Sequence, residues 1–127
     1  MYGANAYSAY KNNSITYASK DQLLLMLLDG ACKYVKVGKQ AVLDKDAKKA
    51  HENLMRTQDI FYELMSTLDL DKGGDWAKSL FSVYEFIVRR LADANIKKDA
   101  EIVDEVIPLI EDIKDTWNEA YKISRLK

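Results

Sequence analysis

Cysteine and histidine occur once each in the 127 residues, as Cys32 and His51, so no disulfide framework and no Cys/His zinc cluster can be assembled. Proline occurs once and glycine five times, which leaves few helix breakers and favours long helices. No sign of charge dominates. Lys and Arg number 19 against 20 Asp and Glu, and the net charge of -1 supplies none of the broad positive field that nucleic-acid binding uses. Long hydrophobic runs are missing too: Leu23–Leu28 is far short of the ~20 residues that span a bilayer. Met1–Tyr10 lacks the basic and apolar regions of a secretory signal. A soluble cytoplasmic protein is expected, and a lone reduced cysteine agrees with that compartment.

What is present is one domain's worth of helical pattern behind an unusual arm. Residues 1–18 hold Tyr2, Tyr7, Tyr10 and Tyr17 among Asn, Ser, Ala and Gly, with no helical or strand period. At Ser19 a capping box with Gln22 opens a helix expected from about Lys20 to Lys39, with Leu24, Leu27, Leu28, Ala31, Tyr34, Val35 and Gly38 on one stripe. Asp46 is an N-cap for a second helix, roughly Ala47–Leu68, with Ala50, Leu54, Thr57, Phe61, Leu64 and Leu68 facing inward. Gly73-Gly74 ends it, and Asp75 is expected to cap a third helix carrying Ala77, Leu80, Tyr84, Ile87, Leu91 and Ala94. After a break over Asn95–Lys98, Asp99 caps a fourth with Val103, Val106, Ile110, Ile113 and Trp117. Pro108 inside it removes the hydrogen bond to the Asp104 carbonyl and should kink or loosen that helix.

Four such helices with short loops are antiparallel neighbours. The expected fold is therefore an all-α, up-down-up-down four-helix bundle over residues 19–127 with an irregular N-terminal arm over residues 1–18. Lys45-Asp46-Ala47 recurs as Lys98-Asp99-Ala100 with unmatched flanks, which reads as two similar caps and not a repeat.

Catalytic chemistries fail one by one. A di-iron bundle needs Glu-x-x-His, and the residue three before His51 is Lys48. His51 and Met55 lie on one helix face and cannot both ligate a haem iron axially. Cys32 sits mid-helix beside Ala31, as an inert buried thiol would. Gly73-Gly74 leads into Asp75, whose carboxylate would repel a phosphate. Asp104-Glu105 and Glu111-Asp112 belong to the solvated face of the fourth helix. The basic pairs Lys48-Lys49, Arg89-Arg90 and Lys97-Lys98 are too dispersed for nucleic acid. Neither enzyme activity nor a cofactor or metal is expected.

Apolar surface is left over. Beside the core stripes lie Leu23, Leu25 and Met26 on the first helix, Met55, Tyr62 and Met65 on the second, and Trp76, Phe81, Val83, Phe86 and Val88 on the third. A wider core, a dimer interface, or a groove for an amphipathic helix would each use them.

The segments Asn5-Ala6-Tyr7-Ser8-Ala9-Tyr10, Ser19-Lys20-Asp21-Gln22 with Leu23–Ala31, Ser66-Thr67-Leu68-Asp69 with Gly73-Gly74, and Arg90-Leu91 with Ala94-Asn95 together resemble the flagellar secretion chaperone family, FliS. That resemblance covers nearly the whole chain. It implies a cytoplasmic type III export chaperone that binds the disordered C-terminal segment of flagellin, prevents its premature polymerisation and delivers it to the flagellar export gate, with no membrane insertion and no nucleic acid. Tyr7 and Tyr10 match the family's arm, which covers the binding surface and docks at the gate. The expected partner-binding residues are Tyr7, Tyr10, Leu23, Leu25, Met26, Met55, Tyr62, Met65, Phe81, Val88 and Asn95, on a protein that is a monomer or weak dimer when free. Asp29 stands where many members carry Tyr, and Pro108 also departs from the pattern. The alternative is a non-enzymatic helical-bundle structural protein that dimerises through the same stripes.

Overall fold

The computed structural model describes residues 20–126, and every element among them is helical: α1 (Lys20–Leu43), α2 (Ala47–Thr67), α3 (Leu70–Lys97) and α4 (Ala100–Arg125). The arm, the Ser19 cap, Tyr7 and Tyr10 lie outside the described residues. Each helix packs on its sequence neighbours and α1 closes on α4, which is the four-helix bundle expected.

Each helix buries one stripe. Leu27, Leu28, Ala31 and Val35 of α1 meet Leu54, Phe61 and Leu64 of α2, Tyr84, Ile87 and Leu91 of α3, and Val103, Val106 and Ile110 of α4. Phe61 and Tyr84 pack at the centre with ring centroids 5.6 Å apart and planes tilted by 59°. Burial pushes the Tyr84 hydroxyl above its ordinary pKa, while a hydrogen bond with the Trp117 side chain opposes that shift. Cys32 is buried and its thiol is pushed up by desolvation, which keeps it protonated and inert.

The turns explain the repeated Lys-Asp-Ala tripeptide. Lys45 and Lys98 both adopt the left-handed conformation, with φ of 60° and 52°, and so terminate α1 and α3. The next residue caps the following helix: Asp46 accepts from the Lys49 N–H, and Asp99 accepts from the Glu101 N–H. In the first turn Asp46 N–H also returns to the Ala41 carbonyl at 2.9 Å and Lys45 N–H to the Val42 carbonyl at 3.1 Å, the paired closure of a Schellman motif.

Three boundaries differ from the sequence reading. α1 runs on from Lys39 to Leu43 because Ala41 is buried and Val42 packs against the core. α3 begins earlier, at Leu70, where the Asp69 side chain accepts from the N–H groups of Asp71 and Lys72. Asp69 is thus the cap assigned above to Asp75, and the glycine break survives as an interruption at Gly74, whose φ is 58°. The far end of α3 includes Asn95 and runs to Lys97, because the Asn95 side chain is held within the bundle. Pro108 is accommodated inside α4, exposed like Asp104, whose carbonyl it leaves without an amide donor.

Ion pairs fasten the seams of α4. Asp29 pairs with Lys114 at 2.9 Å, Lys36 with Glu111 at 3.3 Å and Lys39 with Asp104 at 2.7 Å across α1 and α4, while Arg90 holds Glu105 at 2.9 Å across α3 and α4. All are solvated, so each contributes at most about 1 kcal/mol and mainly fixes orientation.

α1 and α2 approach closely at Gly38. A Cβ there would lie 2.9 Å from Leu54 Cδ2 and 3.1 Å from its Cγ, and Leu54 is fully buried. At Gly30 the nearest atom would be Ile60 Cδ1 at 3.5 Å, an ordinary contact. Gly38→Ala should therefore lose about 1–3 kcal/mol in urea unfolding through overpacking. Gly30→Ala should gain about 0.5–1 kcal/mol from helix propensity. Equal effects at the two positions would refute the close-approach account.

Candidate functional site: the α2–α3 seam

His51, Met55, Gln58, Tyr62 and Met65 follow one another along α2 at alternating spacings of four and three, so they share one flank. Phe81, Glu85, Val88, Ala92 and Asn95 do the same along α3. Two contacts bring these flanks together in antiparallel register: Phe61 on Tyr84 in the core, and Asn95 Nδ2 donating to His51 Nδ1 at 2.9 Å near one end. An amide nitrogen can only donate, so the ring nitrogen accepts.

The seam grades from core to solvent. Tyr62 is 53% exposed and Met55 38%, whereas Met65 is half-buried and packs against the core. Phe81 is half-buried. Val88, at 6%, is a core residue. Asn95 is as deeply placed, and the Lys98 ammonium donates to its carbonyl at 2.6 Å and its Oδ1 at 2.7 Å. As the fold stands, then, Val88 and Asn95 form the floor and the end latch of the seam, beneath the surface that Met55 and Tyr62 present.

The remaining expected residues lie on α1. Leu23 packs against the core and Met26 is exposed. Leu25 lines a small, shallow cleft between α1 and α4, together with Leu24, Trp117, Ala120 and Tyr121. Trp117 also meets Trp76 of α3 edge to face, with ring centroids 5.7 Å apart. The expected site residues therefore divide between two places: the α2–α3 seam and the end of the bundle where α1 begins.

Chemically the seam is apolar with fixed polar points. Asn53 and Thr57 are buried but bond back to their own helix, at the Lys49 and Asn53 carbonyls. Burial pushes the Asp59 carboxyl above its ordinary pKa. Among the described residues no group of His, Cys, Asp and Glu could hold a metal ion, and no helix is long and apolar enough to cross a membrane. Sequence reasoning missed Gln58 and the His51–Asn95 link. The alternating four-three spacing that runs through both was their available signal.

The profile of the family described as Flagellar protein FliS matches residues 3–124. The chain belongs to the FliS family. The Flagellar secretion chaperone FliS of Bacillus subtilis is 35% identical over 121 residues, covering 95% of this chain and 90% of that protein. The protein of the same name from Salmonella typhimurium is 32% identical, with 94% and 92% covered. A solved structure described as a flagellar chaperone from bacteria shares the fold at a TM-score of 0.75 and 18% identity, over 94% of this chain and 97% of its own. This FliS family member is thus a flagellar secretion chaperone homologue with an all-α bundle.

The depth of its seam residues separates two kinds of substitution. Asn95→Ala removes the buried amide that links His51 and Lys98, so thermal or urea unfolding should register a loss of about 1 kcal/mol or more. Tyr62→Ala removes an exposed ring and should stay within about 0.5 kcal/mol of the unmodified protein. A Tyr62→Ala loss as large as that of Asn95→Ala would make the seam ordinary core.

Proposed function

We propose that this protein is a cytoplasmic, non-enzymatic, cofactor-free export chaperone that binds the disordered C-terminal segment of flagellin. It keeps that segment from polymerising early and delivers it to the flagellar export gate. The observation that carries the reading is the coincidence of family membership over nearly the whole chain with exposed apolar side chains, Met55 and Tyr62, beside a complete core with Met65 half-buried at its edge.

The physics suits the task. Methionine and aromatic side chains repack around varied apolar anchors, so one seam accepts an amphipathic helix without demanding a single shape. Flagellin's own apolar stripes are masked while they lie in it. Ordering a disordered segment costs about 2–5 kcal/mol or more of the gross interaction energy, which keeps release possible without nucleotide hydrolysis. The arm, residues 1–18, is the displaceable cover in this reading. Tyr7 and Tyr10 bury a large ring while leaving a hydroxyl in water, and the cleft at Leu25 and Trp117 lies where the arm joins α1. The same tyrosines then serve as the contact with the gate.

Calorimetric titration of the full chain with a synthetic peptide of the flagellin C-terminal segment tests the reading. A monomer or weak dimer should become a 1:1 complex, and Met55→Ala combined with Tyr62→Ala should weaken binding by about tenfold or more with little change in stability. A stable dimer that ignores the peptide would instead support a structural role for the stripes. Deleting residues 1–17 should raise binding of a hydrophobic dye by the free protein and hold or raise peptide affinity, because a competing closed state is removed. Flagellin export should fall in the same deletion. Unchanged dye binding with normal export would remove both roles of the arm.

A further inference from the structure

Gln58 is 6% exposed, and its Oε1 is buried without a hydrogen-bond partner among the described residues. The other buried polar side chains named above do have partners: Asn53 and Thr57 on their own helix, and Asn95 on His51 and Lys98. More than nine in ten buried polar groups in folded proteins are paired, so an orphan needs a reason. This one stands on the open stripe, between Met55 one turn before and Tyr62 one turn after. In the register fixed by Phe61–Tyr84 and His51–Asn95, it falls opposite Ile87 and Val88, whose side chains have only carbon to offer.

We propose that Gln58 is the specificity-determining residue of the seam: its side-chain oxygen accepts a hydrogen bond from a donor side chain set in the apolar stripe of the docked flagellin helix. The inference rests on the chaperone reading above and names what that reading leaves open, the chemistry that tells one amphipathic helix from another. The donor is a side chain because the backbone N–H groups of a helix beyond its first turn are already used internally. Ser, Thr, Asn, Gln, Lys or Arg would serve, with apolar residues one turn to either side to meet Met55 and Tyr62. The glutamine has three rotatable torsions, so its amide can turn toward a ligand that presses Met55 and Tyr62 aside. A helix with an unbroken apolar stripe buries the orphan further and gains nothing from it. Such a helix is discriminated against, as when a polar site meets an analogue lacking its polar group.

The test uses the full chain, its Gln58→Leu and Gln58→Met variants, and the synthetic flagellin C-terminal peptide in calorimetry. Replacing a buried unpaired amide by an apolar side chain of similar size should leave the melting temperature unchanged or raise it, while peptide affinity falls about tenfold. A second set of peptides, with each polar stripe residue changed in turn to Ala, should contain one that binds the unmodified protein about tenfold more weakly and the Gln58→Leu variant no more weakly than the parent peptide does. That non-additivity identifies the partner donor, and a merely structural glutamine would not produce it. Gln58→Met keeps an unbranched chain and replaces Gln58→Leu in every comparison if the branched residue does not fold. Variants that bind like the unmodified protein, or losses that add, would overturn the role of Gln58 and leave the chaperone reading standing. Failure of the unmodified protein to bind the peptide would overturn both.

Discussion

Everything at the candidate site depends on the antiparallel register of α2 and α3. It is held in the core by Phe61 against Tyr84 and at one end by Asn95 on His51. These contacts differ in kind. The aromatic pair is close-packed and non-directional enough to survive small shifts, whereas the amide-to-imidazole bond has one satisfactory geometry. Together they decide which side of α2 looks inward. Turning α2 by one residue would bury Met55 and Tyr62 in the places of Leu54 and Phe61, so the open stripe exists only while this register holds.

The helices themselves were largely legible in the sequence, because a stripe at helical spacing is a strong signal and each short connection carries its own chemistry. Asp46 and Asp99 cap where their position predicted. The boundaries that moved did so for identifiable reasons. The helix expected to end near Lys39 continues past Gly38, which lies on the core stripe as expected and against Leu54, to bury Ala41. Asn95 reads as a breaker by propensity, yet a tertiary hydrogen bond repays its side chain and the helix runs on. Asp75 reads as the cap of α3, and Asp69 is the residue that caps it. A sequence does not say that a single turn will form between them before Gly74 interrupts it.

The site was less legible than the fold, since burial is decided between helices and periodicity acts within one. Tyr62 and Val88 both stood outside the core stripes of their helices, and one is half exposed while the other is core. Val88 stands one turn from both Tyr84 and Leu91, nearer the core stripe than Phe86, which is exposed. Gln58 drew no notice because glutamine is a good helix former usually found in water, and only the packed structure shows its oxygen shut in. Belonging to the FliS family sharpens the reading of function without ranking these residues.

A chaperone of this design must keep an apolar stripe available without unfolding or aggregating through it. In the proposed docking, α2 would meet that constraint by division of labour. Its inner face, Leu54, Phe61 and Leu64, is fully enclosed and carries the stability, while the neighbouring flank is only partly covered and can be given to a partner. The stripe is narrow and interrupted: Gln58 lies between Met55 and Tyr62, and the acidic Asp59 and Glu85 lie close by in sequence or across the seam. Such interruptions weaken indiscriminate association more than they weaken a helix whose own side chains answer them. In the proposed docking, affinity and selectivity would be set by different atoms, the rings and thioethers for the first and a single amide oxygen for the second. A client held this way can be tight enough to stay masked and still leave when its apolar stripe finds a better surface.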